Sequence, residues 1–139
     1  MGPRKRIAGT TPLVFKTSDV FGNTVSLPME RWQHIVDYHD DMIGRQTAVK
    51  KTVEHPSAIY ESTANPNALI FHAHGLLLPR QNVVRVVMRY EKITEVRSGT
   101  TVGHIVTAFA PSPATELSGG IGPLFYQRQK PQKSKGRRR

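Results

Sequence analysis

The chain has 139 residues, no cysteine, and a formal net charge of +10 from 20 Lys and Arg against 10 Asp and Glu. Its length suits one domain with a hydrophobic core of its own. The lack of cysteine excludes a disulfide framework, a thiolate metal site and a cysteine nucleophile. No window approaches the roughly 18 consecutive apolar residues of a membrane span. No apolar segment follows the basic start, so a Sec-type leader is not expected. A cytoplasmic location, in the producing cell or in a target cell, is the expectation.

The positive charge is unevenly placed. Arg4, Lys5 and Arg6 lie at one end, and Lys130, Lys133, Lys135, Arg137, Arg138 and Arg139 at the other. Setting these nine aside leaves eleven basic residues against ten acidic ones, so the body is nearly neutral. Such arms carry too little apolar surface to offset chain entropy. They suit phosphate backbones, to which each cation adds salt-sensitive affinity. A solubilising tail is the alternative. Membrane adsorption is disfavoured, because the arms lack interleaved aromatics and leucines. The expected organisation is a flexible basic arm over 1–11, a folded domain over 12–127 and a disordered basic tail over 128–139.

In chain order, "PLVFKT" (12–17) and "NTVSL" (23–27) read as short strands around a turn over Asp19–Asn23. Pro28 suits the first turn of a helix, and Glu30 favours its positive end. The helix continues to about His39, with Trp32, Ile35, Val36 and His39 forming one stripe. Gly44 breaks it, and a second helix follows from about Arg45 to Glu54, closed by Pro56. Strands are then expected at 57–62, 68–74, 82–90 and 102–110, the last two rich in β-branched residues. Residues 111–127 read as an irregular connector ending in a short edge strand. Helices followed by a run of strands predict an α+β fold, with both helices on one face of an antiparallel sheet.

Six histidines are the main chemical resource. His34 and His39, five residues apart, do not share a narrow helical face. Helical geometry alone makes His39 a C-terminal cap and His34 a solvated side chain above Tyr38. Strand alternation puts Arg85 and Arg89 on one face, and His72 with His74 on one face. It puts His104 with Val106 and Ala108, opposite Ile105, Thr107 and Phe109. His72-x-His74 is half a metal site without a nearby carboxylate, so neither a metal nor another cofactor is expected. Phosphate-cradling, nucleophile-elbow and dinucleotide motifs are absent. Histidine for proton transfer and arginine for a doubly charged phosphate suit metal-independent cleavage of RNA.

The ordered segments "NTVSLPMERWQHIVDYHDDM" (23–42), "TVEHPSAIYES" (52–62), "NVVRVVMRY" (82–90) and "GHIVTAFAP" (103–111) resemble a known superfamily. It comprises the phage- and mobile-element-associated nucleases of the barnase, EndoU, colicin-type and RelE group. The resemblance spans about 13–127 and excludes both arms. It implies a barnase- or RelE-like domain: two N-terminal helices on one face of a central antiparallel sheet of about four strands. It also implies a small toxin-like or phage-encoded endoribonuclease that needs no metal and leaves a 2′,3′-cyclic phosphate.

Carried over residue by residue, the resemblance places His34, His39, Tyr60, Arg89 and Thr107 at catalytic positions, and Trp32 in the core. Phosphate-binding candidates are Arg85, Lys50 and Lys51, with the six cations of the tail. The family reads His-Pro-Glu where this chain reads His39-Asp40-Asp41, which leaves the carboxylate's role to Asp40, to Asp41 or to neither. The implied partner is RNA, or DNA through the arms, with an acidic antitoxin or immunity protein as inhibitor. The alternatives are a catalytically silent nucleic-acid binder and an interaction module for an acidic partner.

Overall fold

The computed structural model of the protein describes residues 12–76, 83–112 and 120–129. The basic residues at 4–6 and 130–139 lie outside them. Two strands open the fold, β1 (Leu13–Ser18) and β2 (Thr24–Pro28), paired antiparallel. The turn between them forms because the Asp19 carboxylate accepts the backbone N–H groups of Phe21 and Asn23, both at 2.9 Å. Gly22 supplies the positive φ of +100° that reverses the chain.

Helix α1 (Met29–Tyr38) starts directly after Pro28, which is extended and has no N–H to lose. Its buried residues are Trp32 and Ile35, one turn apart. His39 leaves the helix at φ −137°, and a 3-10 turn over Asp40–Met42 follows. Helix α2 (Gln46–Glu54) buries Val49, Thr52 and Val53. The chain then runs through β3 (Ala58–Ser62), β4 (Ala68–His74), β5 (Val83–Tyr90), a 3-10 turn at Ile93–Ser98, β6 (Val102–Phe109) and β7 (Ile121–Gln127).

All seven strands form one sheet, ordered β1-β2-β6-β5-β4-β3-β7. Its pairings are antiparallel except β2 with β6, which are parallel. This corrects the expected architecture. The sheet is mixed and seven-stranded rather than antiparallel and four-stranded, and the two strands expected ahead of the helices are part of it. The reason is non-local. The β1–β2 hairpin adds to the edge of β6, nearly eighty residues later, and β7 returns to the free edge of β3.

The core joins Trp32 and Ile35 of α1 and Val49 and Val53 of α2 to Leu69, Phe71, Val84, Val86, Met88 and Ile105. Phe21 of the first turn meets Phe125 and Tyr126 of β7 edge to face, at centroid distances of 6.0 and 5.5 Å. The sheet therefore bends until its two margins touch. A buried polar network pins the hairpin to the β5–β6 connection. Asp19 accepts from Tyr90 Oη at 2.7 Å and from Asn23 Nδ2 at 2.9 Å. Asn23 in turn donates to the Val96 carbonyl and accepts from the Thr101 N–H.

Paired residues point to the same side of a sheet, so the register identifies the face turned away from the core. His104 pairs with Arg89, Thr107 with Val87, and Phe109 with Arg85. One extra residue on β6 interrupts the ladder between the first two pairs, as in a β-bulge. The bulge corrects the alternation expected from sequence: His104 and Thr107 lie on the same outer face, not on opposite ones.

Candidate functional site

Strand β2 is short, and pairs with β6 only from Val102 to His104. Among the described residues, no strand pairs with the edge of β6 beyond His104, and α1 runs beside it. Arg31 of α1 donates through Nη1 to the Val106 carbonyl at 3.2 Å. A cleft of about 590 Å³ opens here, lined by Ser26, Pro28, Arg31, Asn65, Arg89 and residues 102–106. Among the described residues, no carboxylate lines it. Pro28 and Arg31 also line an adjoining hollow, together with His34 and Glu30.

Three elements place these side chains: β5, β6 and α1. Arg89 and His104 are register partners on the rigid outer face of the sheet. Arg31 and His34 are one helical turn apart on α1. Two guanidiniums and two imidazoles thus surround adjoining concave surfaces in a chain with an excess of positive charge. Guanidinium forks can each take two phosphate oxygens. Imidazoles can exchange protons near neutral pH.

The remaining candidates lie elsewhere. His39 turns away from His34 and stacks on Phe109, with centroids 4.9 Å apart and planes 18° from parallel. The Arg85 guanidinium lies 5.2 Å from the centre of the same Phe109 ring. Arg85 also donates through Nε to His72 Nε2 at 3.0 Å. Tyr60 meets the His72 ring edge-on at 5.3 Å. His39, Phe109, Arg85, His72 and Tyr60 form one continuous chain of contacts. It includes His72 and Arg85, which are buried.

Burial, aided by the Arg85 guanidinium and by His74, pulls the His72 imidazole down to a pKa of about 4. His72 is therefore neutral at pH 7. Because Nε2 accepts from Arg85, its proton sits on Nδ1. Among the described residues, no three His, Asp or Glu side chains come close enough to hold a metal ion.

Thr107 pairs with Val87, between the row that holds Arg89 and the row that holds Arg85. Lys50 is committed to Glu54 at 2.7 Å. That ammonium, with the Thr17 hydroxyl, lowers the Glu54 carboxyl below its ordinary range. Lys51 lines a separate hollow with Arg45, Thr47 and Gly75. Asp41 accepts the Ala110 N–H at 3.2 Å, tying the turn after α1 to the end of β6. The tail candidates Lys130, Lys133, Lys135, Arg137, Arg138 and Arg139 lie outside the described residues.

The structure thus brings His34 and Arg89 to adjoining hollows and gathers His39, Tyr60 and Arg85 in a second cluster. Sequence reasoning passed over Arg31, although its position three residues before His34 was a usable signal. It set His104 apart from Thr107, because a bulge leaves no mark in a strand's residue pattern. In comparisons with known proteins, no family model matches the chain, no curated protein matches it and no solved structure matches its fold.

Proposed function

We propose that the protein is a metal-independent endoribonuclease that binds the scissile phosphate in the cleft between α1 and the edge of β6. The observation that carries this reading is the grouping of Arg31, Arg89, His34 and His104 around adjoining hollows; among the described residues no carboxylate lines the larger one, and Glu30 lines the smaller. The proposal rests on that cleft, not on the overall architecture.

In the reaction, one neutral imidazole takes the ribose 2′-OH proton as the 2′ oxygen bonds to phosphorus. The P–O5′ bond breaks, and the other imidazole, protonated beforehand, delivers a proton to the leaving oxygen. Arg31 and Arg89 hold the non-bridging oxygens as charge builds on them. The products are a 2′,3′-cyclic phosphate and a free 5′-OH. A toxin-like or phage-encoded role, restrained by an acidic inhibitor, belongs to the same proposal.

The test is digestion of a mixed-sequence RNA in excess EDTA by the full chain, with His34→Ala and His104→Ala prepared in parallel. Cleavage by the wild type, reduced about 10²-fold or more in each variant, supports the reading. No wild-type cleavage, or cleavage that needs added metal, overturns it. A second reading, RNA binding without cleavage, is favoured by the stacking of His39 and the ring contact of Tyr60 outside the cleft. It predicts salt-sensitive binding with no product.

A further inference from the structure

Among the described residues, one large aromatic side chain is mostly exposed. Tyr38, at the end of α1, is 73% exposed. Its ring lies 4.7 Å from that of His34, tilted by 39°. Arg31, His34 and Tyr38 stand at i, i+3 and i+7, which keeps Arg31 and Tyr38 within about 20° on the helix and about 10 Å apart along its axis. The helix therefore carries a stripe that starts at the cleft as a cation, passes the exposed histidine and ends in a bare phenol ring.

An exposed tyrosine at the end of a stripe that begins with Arg31 offers a π-face to something flat that arrives with a negative charge nearby. We infer that Tyr38, backed by His34, is a stacking platform for an unpaired base of the RNA strand whose phosphate lies at Arg31 and Arg89. The substrate class is therefore single-stranded RNA. This inference rests on the proposed RNA cleft, because the cleft supplies the phosphate anchor. A base buried in a duplex stack cannot present its face to a side chain, whereas a single strand can splay one out. The helix stripe lets such a strand run from the cleft along α1. Charge complementarity agrees at the phosphate anchor: among the described residues the larger hollow has two arginines and a histidine in its lining and no carboxylate, while Glu30 lines the smaller one.

The test uses the full chain and two fluorescent probes. One is a short unstructured 2′-O-methyl oligoribonucleotide, which cannot undergo 2′-OH attack. The other is the same strand annealed to its complement. Dissociation constants are measured by anisotropy for the wild type, Tyr38→Ala, Tyr38→Phe and Arg89→Ala, with folding checked by circular dichroism.

The expected result is a loss of about tenfold or more in single-strand affinity for Tyr38→Ala. Tyr38→Phe keeps wild-type affinity, duplex affinity is unchanged by either, and Arg89→Ala weakens both probes. Unchanged single-strand affinity in Tyr38→Ala, or an equal loss on both probes, overturns the platform. If that occurs while Arg89→Ala still weakens binding, the cleft survives and only the platform fails. If Arg89→Ala binds both probes like the wild type, the cleft fails and the platform fails with it.

Discussion

Arg85 donates through Nε to Nε2 of His72 at 3.0 Å, between side chains that are 5% and 1% exposed. An imidazole that accepts from a guanidinium is useful only while neutral, because protonation removes the accepting lone pair and puts two cations side by side. Burial already holds its pKa near 4, against an ordinary value of 6.5. Unfolding releases it to titrate normally. Between pH 6.5 and 4 the unfolded chain therefore binds more protons at this site than the native protein does, and stability falls as pH falls. The cost at pH 4 is about 3 kcal/mol relative to pH 7.

Urea unfolding at a series of pH values checks this. His72→Gln keeps an acceptor for Arg85 and does not titrate, so its stability should vary less between pH 6.5 and 4.5 than that of the wild type. Glu54, held low by Lys50 and Thr17, contributes stability that is lost only below its ordinary value of 4.5. The upper window thus separates the two groups. Parallel curves for wild type and variant there would contradict the assignment.

Tyr90 reaches Asp19 across the fold, and burial with that neighbouring carboxylate holds the phenol protonated far above its ordinary range. Tyr90→Phe keeps the ring and removes the donor, so Asp19 Oδ2 loses one of its two donors and keeps Asn23 Nδ2. The expected cost is about 1–3 kcal/mol. A chemical-denaturation midpoint equal to that of the wild type would show that the network adds nothing to stability.

Gly103 of β6 pairs with Tyr90 of the neighbouring strand β5. A Cβ built there would meet Met88 Cε at 2.7 Å and the Tyr90 ring at 2.8 Å. Gly103→Ala should destabilise by about 1–3 kcal/mol through overpacking. Thermal unfolding measures it, and a neutral result would mean that the core opens freely around Tyr90.

Arg89 is assigned a phosphate rather than a base. Arg89→Ala should weaken binding of non-cleavable RNA by a similar factor whatever its sequence. It should also reduce the slope of log affinity against log salt by about 0.7. Titrations at several salt concentrations decide the point. An unchanged slope would take Arg89 out of the interface.

Local chemistry was readable before the fold was. The β-branched run at 83–90, the Asp19–Asn23 turn and the Trp32–Ile35 stripe each correspond to an element in the structure. How the strands assemble was not readable, because the parallel pairing of β2 with β6 joins segments with no shared local pattern. Strand β7 was legible as a short edge strand closing 111–127, but not its pairing with β3, and its pattern is interrupted by Gly122 and Pro123. Both fit an edge strand: a side chain at Gly122 would strike the Glu61 carbonyl, and Pro123 lacks a ladder donor. Within the site, His34 and Arg89 were legible as residue types with the right chemistry. The bulge that turns His104 to their side of the sheet was not, since one unpaired residue costs a sequence nothing visible.

The central claim is that the cleft carries out transesterification on RNA. It is tested most directly by the ends of the fragments produced by the full chain in EDTA, identified by mass spectrometry. The account predicts 2′,3′-cyclic phosphate and 5′-hydroxyl termini from the wild type, and loss of both in Arg89→Ala and His104→Ala. Fragments ending in 5′-phosphate, or the same cyclic product at the same rate from both variants, would contradict it.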